Sequence, residues 1–181
     1  GSQQDIFEIT FINDQTGFIV GEQSTILKTT NGGTTWYDVS SGLPINTTFV
    51  SISFPTQSVG YIGGHKGSGN NILIKTTDSG ESWTVIDEWL PYILDLQFVT
   101  PDSGILVTYL SSSLRTMDGG QTWEELDPYF SSMRLYFADQ NTGYFVYGDD
   151  DGGMDSPVII KTIDFCNTNE VLTDYVTLEF L

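Results

Sequence analysis

The 181-residue sequence predicts an all-β fold, a β-propeller built from four-stranded antiparallel blades, and three observations carry that prediction. A twelve-residue stretch recurs as KTTNGGTTWYDV at 28–39, KTTDSGESWTVI at 75–86 and RTMDGGQTWEEL at 115–126. An independent marker, a Phe followed six residues later by Gly, runs through Phe11–Gly17, Phe54–Gly60, Phe98–Gly104 and Phe137–Gly143, with Phe-to-Phe steps of 43, 44 and 39. Between the markers lie short runs that alternate apolar and polar residues and end in Gly, Asn, Asp or Ser, and no stretch keeps helical spacing over ten residues. A period of roughly 40–45 residues with four strands is that of a propeller blade.

Each element follows from this frame. In the first unit the strands read EITFI, GFIVG, TILKT and TWYDV. The units fall at approximately 5–48, 49–92, 93–131 and 132–175, and VTLEFL at 176–181 opens a fifth. The fourth turn is eroded: Thr162 and Asp164 keep the pattern, Cys166 replaces its second Gly, and Asn169 stands where Trp would be. Four repeats and one strand are few for a ring, so the chain is expected to be one propeller domain or part of a larger one, with oligomers formed if the ring is incomplete. Asn31, Asp78 and Asp118 can accept backbone N–H groups within their turns. Gly33, Gly80 and Gly120 suit positive φ. Trp36, Trp83 and Trp123 lead into the fourth strand and are expected to pack between layers, because a blade cannot bury its faces alone.

Thr29-Asn31-Gly33-Trp36, Thr76-Asp78-Gly80-Trp83 and Thr116-Asp118-Gly120-Trp123 resemble the Asp-box, or BNR repeat, with Asn for Asp in the first. The longer wording of residues 11–36 is similar to that of the photosystem II stability and assembly factor group, although position 13 is Asn. The resemblance covers about 170 residues. It implies the propeller fold and a structural role for the box residues, and it leaves function open because Asp-boxes occur in enzymes and non-enzymes alike.

Composition narrows the partners. Six Lys and Arg face twenty-four Asp and Glu, a formal net charge of -18, which repels nucleic acid and anionic membrane. No apolar run approaches membrane-spanning length, so no membrane insertion is expected. Gly1-Ser2 reads as a cleavage scar with a targeting segment removed, which points to a secreted, periplasmic or cell-surface protein. Asn46-Thr47-Thr48 is a glycosylation sequon. The one cysteine, Cys166, has no His or basic neighbour in sequence and reads as an inert filler.

Strand alternation sends the Asp-boxes to one end of every blade and variable loops to the other: HKGSGNN at 65–71, DEWLPY at 87–92, YLSSS at 109–113, DPYF at 127–130 and GDDDGGMD at 148–155. Variable loops on a rigid scaffold are where binding usually resides. Trp89, Tyr92, Tyr129 and Phe130, read as inter-blade loop residues, could stack on a sugar or hold a peptide, and His65 joins them as a binding candidate. A lone histidine cannot supply a histidine pair for zinc. Asp149, Asp151 and Asp155, together with Asp150, could seed a Ca²⁺ site; no other cofactor is suggested. The favoured function is a non-catalytic module that binds protein or glycan, or serves assembly. The alternative is a glucanase-like glycoside hydrolase using a carboxylate pair from Asp87, Glu88, Asp127 and Asp149. An intact sialidase, which the resemblance would require to grip its substrate with three arginines, is excluded by a chain holding only Arg115 and Arg134.

Overall fold

The computed structural model describes residues 4–67, 71–109, 113–126, 134–147 and 158–166. Four antiparallel sheets follow one another along the chain. The first holds β1 (Ile6–Phe11), β2 (Gly17–Gly21), β3 (Ile26–Thr29) and β4 (Tyr37–Asp38). The second holds β5 (Thr47–Ser53), β6 (Gly60–Lys66), β7 (Asn71–Thr76) and β8 (Thr84–Leu90). The third holds β9 (Ile93–Phe98), β10 (Gly104–Thr108), β11 (Leu114–Thr116) and β12 (Glu124–Glu125). The fourth shows three strands among the described residues, β13 (Arg134–Phe137), β14 (Gly143–Tyr147) and β15 (Val158–Thr162). Every sheet is a meander in sequence order, no helix occurs among the described residues, and the fold is an all-β propeller arrangement. β8 runs to Leu90, which corrects the reading of 87–92 as a loop: pairing with β7 continues past two register irregularities to Asn71↔Leu90, so Trp89 is a strand residue. The VTLEFL segment and Asn169 lie outside the described residues.

The two sequence markers are one physical unit. The marker glycine pairs with the box threonine across the second and third strands: Gly17↔Thr29, Gly60↔Thr76, Gly104↔Thr116 and Gly143↔Thr162. The marker phenylalanine lies flat over that glycine, so that a Cβ on Gly60 would fall 2.5 Å from the Phe54 ring and one on Gly104 2.5 Å from Phe98. The threonine hydroxyl then organises the turn. Thr76 Oγ1 accepts from Gly80 N at 2.9 Å and donates to Asp78 Oδ1 at 2.7 Å, while Asp78 accepts from Ser82 N and Ser82 Oγ. Thr29, Thr116 and Thr162 repeat the bond to the fourth residue on, at 3.0, 2.9 and 3.1 Å. Gly33, Gly80 and Gly120 hold φ of 85°, 74° and 89°, and Cys166 is held at 56° in their place. Each turn is also tied to the first loop of its own blade, by Gly32 N to Gln15 O, Ser79 N to Ser58 O, Gly119 N to Asp102 O and Phe165 N to Asn141 O.

Two joints connect successive blades. The inner strands β1, β5, β9 and β13 lie side by side, and side chains of one satisfy amides of the next. Ile52 N donates to Glu8 Oε2 (2.7 Å), Leu96 N to Ser51 Oγ (3.2 Å), Phe98 N to Ser53 Oγ (2.9 Å), Leu135 N to Asp95 Oδ2 (3.1 Å) and Phe137 N to Gln97 Oε1 (2.7 Å). The second joint uses the cation that precedes each box. Lys28 Nζ donates to Ser79 O at 2.8 Å and pairs with Glu81, and Arg115 Nη1 donates to Phe165 O at 3.0 Å; both acceptors belong to the next blade's turn. Lys75 Nζ lies where a Cβ on Gly119 would be only 3.0 Å away. The rings join in: Phe18 stacks on Phe54 at 4.6 Å, Tyr61 on Phe98 at 3.5 Å, and Trp83 and Trp123 meet those phenylalanines edge-on.

Lys28→Met keeps the aliphatic stem and removes the charge-assisted bonds of a side chain only 3% exposed. It is expected to lower stability by about 1.5–3 kcal/mol in urea unfolding. The same change at exposed Lys161 is expected to stay within about 0.5 kcal/mol.

The boxes also set an acid dependence. Hydrogen bonds from the Ser82 side chain and backbone hold Asp78 down at about 2, and those from Thr122 hold Asp118 at about 2. A depressed carboxyl contributes stability that is present above its unfolded value and lost as pH falls through the folded one, here between about 4 and 2. Asn31 occupies the same place in the first turn, accepting from Thr35 N and donating to Thr35 Oγ1, so Asp78→Asn should preserve the geometry. Urea midpoints at pH 4 and pH 2 should therefore fall less for Asp78→Asn than for the parent; an equal fall would contradict this account.

Candidate functional site

The variable end carries an aromatic ledge. His65, near the end of β6, stacks on Tyr92 in the β8–β9 link, with centroids 3.7 Å apart and planes 13° apart. Tyr109, just after β10, meets Tyr92 edge-on at 6.0 Å. Tyr92 and Tyr109 are both about half exposed, so ring faces and edges are open to a ligand while the strands beneath them are fixed.

The ledge is held from below by one buried amide. Asn71 pairs with His65 across β6 and β7. Its Nδ2 donates to Leu90 O at 2.8 Å, which turns its Oδ1 toward His65 Nδ1 at 2.9 Å. Nδ1 is thereby the donor, and Nε2 of the neutral ring is left as an acceptor. Burial pushes the imidazole pKa down, opposed by the Asn71 bond, so the ring is neutral at neutral pH. The backbone bond from Tyr109 N to Tyr92 O, 2.8 Å, continues the β9–β10 ladder of the third blade by one residue and fixes the two tyrosines relative to each other.

Of the residues singled out from sequence, His65 and Tyr92 come together. Trp89 is 82% exposed on the outer strand β8, its N–H donating to Asp87 Oδ1 at 2.8 Å. Tyr129, Phe130 and the acidic Asp149, Asp151 and Asp155 lie outside the described residues; among the described residues no three potential ligands converge as a metal site. Tyr109 was not anticipated. It is five residues after its marker glycine, as His65 is after Gly60, so repeat alignment would have found it.

Among the described residues the candidate carboxylates are otherwise engaged; Asp127 and Asp149 lie outside them. Asp87 and Glu88 are adjacent on β8; Asp87 accepts from the Trp89 backbone N–H, and Glu88 is paired with Lys66. Near the axis, Glu8, Asp95, Gln97 and Tyr136 line a cavity of about 360 Å³. Burial pushes Glu8 and Asp95 above their ordinary values, but both are already bonded to the backbone of the neighbouring blade. Burial likewise pushes the Cys166 thiol up to about 12, leaving it unreactive at neutral pH.

With this geometry in place, similarity to known proteins becomes informative. The family described as photosynthesis system II assembly factor YCF48 matches residues 1–91, half of the chain. The chain belongs to this family. It is 33% identical over 130 residues to the photosystem II assembly lipoprotein Ycf48 of Synechococcus sp. (strain CC9902), covering 68% of this chain and 37% of that protein. A solved structure of YCF48 bound to D1 peptide superposes with a TM-score of 0.67 at 25% identity, over 87% of this chain and 49% of that one. The chain thus spans about a third to a half of these members of the YCF48 family. The GH74 xyloglucanase of Xanthomonas campestris, at 16% identity, a TM-score of 0.65 and coverage of 88% of this chain and 28% of its own, shares the fold alone.

Proposed function

We propose that this chain is a non-catalytic binding module of the YCF48 type, which seats an extended protein segment across the aromatic ledge of its second and third blades. The observation that carries the reading is the His65–Tyr92–Tyr109 cluster: two half-exposed tyrosines and a partly buried imidazole, fixed by a buried Asn and the continued β9–β10 ladder, at the end of the blades that the Asp-boxes leave free. Rigid aromatics offer large contact area at low entropic cost, which suits a peptide. The neutral His65 Nε2 adds one acceptor for a peptide N–H. Support comes from a related YCF48 that holds D1 peptide. The lipoprotein relatives support an extracytoplasmic setting. Trp89 stands on the same rim and would extend the contact toward the outer strand.

Fluorescence anisotropy with labelled D1 peptide tests the proposal. Tyr92→Ala and Tyr109→Ala are each expected to weaken binding at least tenfold, as hot-spot aromatics do. The melting temperature should change little, because both rings are half exposed. Binding equal to that of the parent in both variants would remove the ledge from the proposal.

A further inference from the structure

His65 is the one histidine of the chain, and its neighbours decide what it offers a ligand. The Leu90 carbonyl only accepts, so the Asn71 carboxamide turns Nδ2 toward it and Oδ1 toward the imidazole. That Oδ1 also only accepts, which fixes the ring proton on Nδ1. Nε2 lies across the ring from Nδ1, points away from Asn71, and has no hydrogen-bond partner among the described residues. Tyr92, stacked on one ring face at 3.7 Å, holds that edge in place.

The charged groups on the surrounding elements are engaged elsewhere. Lys66, next to His65 on β6, is paired with Glu88 of β8, and Asp87 takes the Trp89 N–H. Asp95 of β9 is bonded to Leu135 N in the fourth blade. Across the sheet His65 meets Thr48 of β5 and Asn71 of β7, and the titratable rings beside it are the phenols Tyr92 and Tyr109. No anion is therefore bonded to the ring to hold it protonated, and burial favours the neutral form.

We infer, on the reading that the ledge seats an extended segment, that binding there is proton-linked: the segment donates an N–H to His65 Nε2, and protonation of that nitrogen in acid releases it. Protonation breaks nothing inside the protein, because Nδ1 keeps its bond to Asn71. It turns the outward acceptor into a donor, so that two N–H groups face each other across the interface. Affinity is full above the pKa of the free imidazole and falls as pH drops through it. By reciprocity, the bound segment holds that pKa lower still.

The single imidazole can be titrated by NMR in the full chain, alone and saturated with D1 peptide. The peptide should lower the midpoint by about one pH unit, which equals about a tenfold loss of affinity on protonation. His65→Phe keeps a ring on Tyr92 without the acceptor. In fluorescence anisotropy it should bind more weakly than the parent at neutral pH, and the difference should close in acid. A midpoint that the peptide leaves unchanged or raises, or a His65→Phe variant whose affinity falls with acid as steeply as the parent's, overturns the inference. If Tyr92→Ala and Tyr109→Ala still weaken the peptide in that case, the ledge stands and only its proton linkage is lost. If those two variants bind like the parent, the ledge itself fails and the proton linkage with it.

Discussion

Everything in this molecule depends on how the inner strand of each blade disposes of its outward-facing amides. An edge strand with unpaired N–H groups costs stability and invites wrong partners. Here the next sheet is not hydrogen-bonded strand to strand. The amides are taken instead by side chains of the preceding blade, as Glu8 takes Ile52 and Asp95 takes Leu135. Gln97 goes further, accepting from Phe137 N and donating to Phe137 O, and so mimics a strand with one side chain. The sheets can therefore fan around an axis without losing their hydrogen bonds.

The Asp-box completes the joint at larger radius. Its threonine and aspartate fix a left-handed turn, and the turn offers a carbonyl to the cation of the blade before. In so acidic a chain four of the six cations are committed to one position. Lys28, Lys75, Arg115 and Lys161 all stand directly before a box. With one end of each blade given over to these joints, the other end is free to carry a ledge of rings that contributes little to the fold.

Much of this was legible in the sequence. The marker Phe and Gly and the box residues are set by close contact and positive φ, and such constraints leave few alternatives, so they recur at fixed spacing. The inner-strand acceptors were not legible, because Glu, Ser, Asp and Gln are interchangeable in accepting one hydrogen bond and leave no single-letter pattern. The ledge was half legible. His65 and Tyr92 stood out as candidates, whereas their stacking depends on the meeting of two blades and on Asn71, whose role is visible only when Leu90 O is placed beside it. Trp89 reads as a loop residue from sequence because its strand is irregularly paired with β7 and carries no clean alternation to mark it.

Native-state hydrogen exchange of the inner-strand amides tests the central claim most directly. Ile52, Leu96, Leu135, Phe98 and Phe137 should exchange only through opening of the blade joint. Ile9, at the same repeat position but 56% exposed, should exchange orders of magnitude faster. Equal, fast exchange at Ile9, Ile52 and Leu96 would show that the side-chain bonds between inner strands do not hold the blades together.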